Sequence, residues 1–297
     1  MLGVKALLAA LGHPIEDPEE ESFVLFCHTT TTHDLGCVDS NVSLLEVTVG
    51  NHDYVIHQSP KILSSNRRGG TTGAVVWKIT PLFAKWIAAS NLLSKFDILN
   101  SNSSVLELGC GISGIIALTL KSIVKQYHLT DQDYVMKFLK QNIDENTKKQ
   151  ATHSLSSKKR KGGAVIGKKR RTAVEEVIDN TQNIIAYPLD WETDEIISQL
   201  SPVSQSGGFD IVIVCDCIYN ETLIHPLVQT CADVCKLRQG STPTLCINAQ
   251  QLRSPEVFES WLKVFNQKFA VWRIPDNDLI QAMRIDSGYA VHIGILR

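Results

Sequence analysis

Val105-Leu106-Glu107-Leu108-Gly109-Cys110-Gly111-Ile112-Ser113-Gly114-Ile115 reads as a short buried strand, a tight glycine turn and the first turn of a helix. Its three glycines follow G-x-G-x-x-G. Glycine permits positive φ and lets backbone approach a ligand with no Cβ in the way. Free N–H groups at the start of the following helix favour a polar or anionic group. The stretch therefore suits a nucleotide-like ligand laid across the backbone, although an ordinary strand-to-helix turn uses the same residues.

Outward from this turn, strands and helices alternate. Toward the C-terminus the pattern predicts Ser104–Leu108, Gly114–Val124, Gln126–Thr130 and Gln132–Asn146, then Ile184–Pro188, Trp191–Leu200, Phe209–Cys215 and Glu221–Lys236. Pro243–Asn248, Pro255–Asn266, Phe269–Ile274 and an apolar closing strand, Gly288–Leu296, complete it. Such alternation makes an α/β fold, a parallel sheet with helices on both faces. Ligands of such sheets sit outside the carboxyl ends of the strands. Toward the N-terminus, a helix is expected over Pro81–Leu93, where Leu82, Phe83, Trp86 and Ile87 recur at helical spacing. Before it, a terminal helix and an acidic turn precede three strands, Phe23–Cys27, Leu44–Val49 and Tyr54–His57, the last two flanking the hairpin signal Gly50-Asn51. Residues 1–72 thus read as a small β-rich extension and 73–297 as the main domain. Between about Lys148 and Asn183 the alternation breaks, and Lys158-Lys159-Arg160-Lys161 and Lys168-Lys169-Arg170-Arg171 predict a disordered basic insertion. Those clusters fit a nuclear-import signal or electrostatic contact with RNA; a solvated loop is the blander reading.

The bulk numbers narrow the class. The 297 residues are 43% hydrophobic and 20% charged, with a net charge of −2, so nothing in the overall balance demands nucleic acid or a membrane. No apolar run of spanning length exists, and Met1–Leu11 lacks a signal-peptide layout because His13, Glu16 and Asp17 follow at once. The eight cysteines are scattered, several within apolar strands, which favours buried free thiols in a reducing compartment. Cys215 and Cys217 read as buried free thiols, and Cys231 and Cys235 have no second pair nearby, so no metal site is expected.

Acidic residues stand where the strands end. Glu107 precedes the first glycine by two residues; a carboxylate there repels a pyrophosphate but suits the cationic amino acid portion of S-adenosylmethionine (SAM). Asp131 follows Gly109 by 22 positions, a spacing that serves a ribose diol in either a nicotinamide or a SAM site, and equally a helix N-cap. Asp190-Trp191 closes the next strand, with Trp191 free to stack on adenine or to fill the core; Trp77 carries the same ambiguity. Asp216-Cys217-Ile218-Tyr219 follows the most apolar strand, so Asp216 is expected to face the crevice or to cap a helix.

Glu107–Gly111, Thr130-Asp131, Asp190-Trp191 and Asp216-x-x-Tyr219 together resemble the seven-β-strand SAM-dependent methyltransferases. Asp216-x-x-Tyr219 and Gly73-x-x-x-Trp77 resemble their protein-lysine branch. Gln250–Glu259 and Ser287–His292 resemble the fungal ribosomal lysine N-methyltransferase 5 group. The resemblance implies a Rossmann-like seven-stranded, mostly parallel sheet with an antiparallel closing strand. It assigns Trp77, Glu107, Gly109, Gly111, Asp131, Trp191 and Cys215 to SAM, and Asp216 and Tyr219 to the lysine entrance as catalytic residues. Asp216 is then expected to orient the incoming ammonium. The implied partner is a protein of the large ribosomal subunit, met by a monomer in the cytoplasm, with the nucleus open through the basic clusters. Other readings are a translation or chaperone protein as target, RNA as target, and an NAD-dependent oxidoreductase, which leaves Glu107, Asp190-Trp191 and Asp216-x-x-Tyr219 without roles.

Overall fold

The computed structural model describes residues 2–28, 36–67, 70–158, 183–196, 200 and 207–297. Two helices come first, α1 (Leu2–Leu11) and α2 (Pro18–His28), then the hairpin β1 (Leu44–Val49) and β2 (His52–His57). Short α3 (Pro60–Leu63) leads to α4 (Ile79–Ala88) and α5 (Leu92–Lys95). The main unit runs β3 (Ser104–Leu108), α6 (Ile115–Leu120), β4 (Gln126–Asp131), α7 (Asp133–Lys158), β5 (Ile184–Pro188) and β6 (Ile211–Cys215). It ends with α8 (Ile224–Lys236), β7 (Leu245–Gln251), α9 (Pro255–Lys268), β8 (Phe269–Arg273) and β9 (Tyr289–Leu296).

The expected seven-stranded sheet is present, in the order β5-β4-β3-β6-β7-β9-β8. Strands β5, β4, β3, β6 and β7 pair in parallel, and β9 is wedged antiparallel between β7 and β8. The chain moves outward from β3 to β5 and then returns to lay β6 on the other side of β3, so the order reverses between β3 and β6. A parallel sheet must be covered on both faces. Val105, Ile211, Ile213 and Ile247 pack with α4, α6 and α7 in one core; Leu106, Val212, Val214 and Cys246 pack with α8 and α9 in the other. Every residue of Ile211–Cys215 is buried, as a central strand requires.

The hairpin signal at Gly50-Asn51 is realised, with Val49 opposite His52. The strand expected at Phe23–Cys27 is instead the second half of α2. Asp17 Oδ1 accepts the Glu19 and Glu20 amides, Pro18 opens the helix and Glu19–Glu21 fill its first turn. Leu25 is buried while Phe23 is 70% exposed, a one-sided burial that the apolar run concealed. The helix expected from Trp191 begins with a turn, where Asp190 Oδ1 accepts the Glu192 amide and the Asp190 amide binds Asp194 Oδ2. Helix α7 extends to Lys158, ten residues past the expected start of the insertion; most of the two basic clusters lies outside the described residues.

Candidate functional site

All nine residues singled out from the sequence line one hollow at the carboxyl edge of the sheet, beside the point where the strand order reverses. Its floor is the glycine turn. Gly109 and Gly111 have φ of 68° and 62°, left-handed values that favour glycine. A Cβ on Gly109 would lie 2.6 Å from Cys217 Sγ and 3.0 Å from the Trp191 ring, so the bare backbone is a packing requirement as well. The amides of the turn are not left for an anion, as the sequence suggested. Gly111 N donates to Asp131 Oδ2 at 2.8 Å and Ile112 N to Gly73 O at 3.0 Å.

The electrostatics instead favour a cation and hydroxyl donors. Glu107 is 2% exposed and accepts a hydrogen bond from Tyr127 Oη at 2.7 Å. Burial pushes its pKa up to about 8, the Tyr127 hydroxyl opposes this, and Asp131 adds to it. Burial also lifts Asp131 to about 6, against the amides of Gly111 and Gln132. Ionising either carboxylate is unfavourable alone, and a positive charge brought beside them relieves that cost. Trp191 lays its ring on Gly109 with its indole nitrogen buried and without a protein partner. Bare glycine backbone, two reluctant carboxylates and an aromatic wall fit a cationic nucleoside such as SAM, and fit a pyrophosphate poorly. Cys215 closes β6 on the hollow as a buried thiol whose pKa burial raises, so it stands there as a small neutral group.

The roof is the segment from Gly70 to Trp77. Gly73 N donates to Tyr134 Oη at 3.1 Å, and a Cβ on Gly73 would lie 3.0 Å from that oxygen and from Val135. Trp77 Nε1 donates to Thr72 O at 3.0 Å. At the mouth, Thr72 Oγ1 donates to Tyr219 Oη at 3.0 Å, and Tyr219 is 40% exposed.

Asp216 is the surprise. It adopts φ 61°, rare for a residue other than glycine, and caps no helix; Asn220 caps the turn that follows. Its side chain is only 1% exposed and is forked by Arg253: Nη1 to Oδ1 at 2.8 Å and Nη2 to Oδ2 at 2.6 Å. An arriving ammonium thus meets a carboxylate whose oxygens are already engaged. Arg253 falls inside the Gln250–Glu259 stretch, but nothing in the sequence gives it this role, and nothing there points to Thr72 of the roof or to Tyr134 on α7. A buried acid demands a partner, but that demand does not name a residue 37 positions away. Among the described residues, no group of three or more His, Cys, Asp or Glu is placed to hold a metal. Nor is any helix among them long and apolar enough to cross a membrane.

A profile of the lysine methyltransferase family matches residues 57–160 and 168–263. A Kluyveromyces lactis protein named ribosomal lysine N-methyltransferase 5 is 31% identical, over 84% of this chain and 87% of its own length. A Schizosaccharomyces pombe protein named diaminohydroxyphosphoribosylamino-pyrimidine deaminase is 27% identical over 86% of this chain; the chain spans about half, 53%, of that relative. The solved N-methyltransferase NodS of Bradyrhizobium japonicum, in complex with S-adenosyl-L-homocysteine, aligns at 13% identity with a TM-score of 0.39, over 69% of this chain and 81% of NodS.

Proposed function

The chain belongs to the lysine methyltransferase family, and from that premise we propose that it transfers a methyl group from SAM to the side-chain amine of a lysine in a large-subunit ribosomal protein. The cofactor is SAM, whose sulfonium supplies an already activated methyl group. The observation that carries the reading is the pairing of Glu107 and Asp131 on one floor, under the Trp77 roof and behind the Tyr219 mouth. Glu107 would receive the cationic amino acid portion, Asp131 the ribose hydroxyls and Trp191 the adenine.

The chain's remaining task is to present a neutral amine in line with the methyl. Free lysine has a pKa of about 10.4 and is almost wholly charged at neutral pH. Passing it through a mouth of ring and hydroxyl, Tyr219 with Thr72, strips water from the ammonium and lowers its pKa. Tyr219 offers the amine a ring face and a hydroxyl oxygen. Asp216, held by Arg253, shapes this entrance from behind the wall.

The name of the Kluyveromyces lactis relative supports the ribosomal target, and the reading carries a cytoplasmic site of action with it. The test is labelled-methyl transfer from SAM to ribosomes of cells lacking the gene, with mass spectrometry of lysines in their large-subunit proteins. Label that survives nuclease, is lost to protease and maps to a lysine supports the proposal. Label that survives protease and is lost to nuclease means an RNA target; label on other translation or chaperone proteins removes the ribosomal assignment.

A further inference from the structure

Asp216 and Tyr219 stand three residues apart, yet a longer path through the roof also joins them. Asp216 is forked by Arg253; the Arg253 guanidinium carbon sits 5.2 Å from the centroid of the Trp77 ring. Trp77 Nε1 binds Thr72 O, and Thr72 Oγ1 binds Tyr219 Oη, which returns the path to the mouth. The interactions close into a ring that runs from behind the wall to the mouth. Its strongest member is a charge-assisted, two-point pair. Arg253 is further braced by donating to Gln251 Oε1 at 2.9 Å, and Gly36 abuts both Gln251 and Arg253. Gly36 O in turn accepts the Lys78 amide at 2.8 Å, next to Trp77.

We propose that Arg253 is a positioning residue of the cofactor site, whose single guanidinium is shared between Asp216 and the Trp77 indole and so holds the roof over the glycine turn. It deepens the SAM reading above and rests on it. Only arginine serves both partners at once: its planar fork meets a carboxylate edge-on while its face lies on an indole. Lysine, a point charge, satisfies one partner or the other. The same geometry explains why a buried acid stands at a site built for a cationic ligand without becoming a second, misplaced counter-ion. Arg253 cancels its charge, and Glu107 remains to meet the ligand.

The experiment titrates SAM into the full chain by calorimetry and follows tryptophan emission and melting temperature alongside. The variants are Arg253→Met, Arg253→Lys, Trp77→Leu and the double Arg253→Lys/Trp77→Leu. Arg238→Met, which removes an Asp–Arg pair at the opposite edge of the sheet, is the control for loss of an ion pair as such. Arg253→Met and Arg253→Lys are expected to weaken SAM binding roughly tenfold or more, with Arg238→Met within twofold of the unmodified chain. The double variant is expected to lose less than the product of its singles, because each breaks the same link. Should Arg253→Met fail to fold, Arg253→Lys and Trp77→Leu carry the test. Arg253 variants that bind SAM as tightly as the unmodified chain, or independent losses in the double variant, overturn the proposal. An unmodified chain that does not bind SAM overturns the cofactor reading instead, a separate failure.

Discussion

Strand β6 carries an Asp–Arg pair at each end, and the two ends differ in almost everything but residue type. At the start, Asp210 accepts the Ser104 amide at 2.8 Å and a single arm of Arg238 at 2.5 Å, with the carboxylate side chain 25% exposed. It ties the amino edges of β3 and β6 together beside water. At the finish, Asp216 is sealed, left-handed in backbone and held by both arms of its arginine. The first pair could be lost with little consequence beyond its own bond. The second is wired to the roof and the mouth of the hollow. The contrast follows the general rule that open α/β sheets keep stability at one edge and ligand chemistry at the carboxyl edge.

The largest effect should come from Asp216→Ala, which strands a mostly buried guanidinium. Breaking such a pair from one side costs about 3 kcal/mol, and transfer should fall by more than about 100-fold as the entrance loses its shape. Urea denaturation and labelled-methyl transfer measure the two. If Asp210→Ala lost as much activity as Asp216→Ala, the proposed division between the edges would be void. Next is Gly109→Ala. A side chain in the left-handed region costs roughly 1–2 kcal/mol, and its Cβ would collide with Cys217 and Trp191. Calorimetry should find SAM affinity reduced by at least tenfold, out of proportion to the change in melting temperature.

Glu107→Gln sharpens the comparison through pH. In the unmodified protein the carboxyl keeps its proton until about pH 8, and only the ionised form pairs with a cation. SAM affinity should therefore rise between pH 6 and pH 8 and level off above, and the variant should flatten that rise. The stability sign is opposite. The folded carboxyl holds its proton more tightly than the unfolded one, so its contribution declines as pH climbs from about 4.5 to 8. Glu107→Gln should accordingly melt a few degrees higher than the unmodified chain at pH 8 while binding the cofactor less well. A steeper decline of stability in the variant would remove Glu107 from this account. The smallest effect is Asp210→Asn, about 1 kcal/mol of stability with SAM affinity unchanged within twofold.

The residues that were legible in the sequence are those whose chemistry is local. Gly109 and Gly111 announce a turn by conformation, Ile211–Cys215 a central strand by unbroken hydrophobicity, and Asp131 and Asp216 strand ends by acidity next to an apolar run. What stayed hidden required a partner from elsewhere in the chain. Arg253 is an unremarkable surface-type residue until Asp216 is seen to be sealed. Phe23–Cys27 reads as a strand because two aromatics and a valine crowd it, while Asp17 and the acidic run after it, which read as a turn, are the cap and first turn of α2. Tyr134 entered the site through the amide of Gly73, a contact no spacing rule encodes.

The hairpin, too, is bound from a distance. Asn142 and Asn146, one helical turn apart on α7, each take an amide and offer a donor to the outer edge of β2, at His57 and Val55. Asn142 also donates to Ile112 O in the glycine turn. One carboxamide therefore fastens the hairpin and the floor of the hollow to the same point. A chain shortened to begin at residue 73 would strip Asn142 and Asn146 of their partners on β2 and uncover the wall that Leu45, Val47, Tyr54 and Ile56 complete, so the opening segment works as a rivet for the machinery it precedes rather than as an ornament on it.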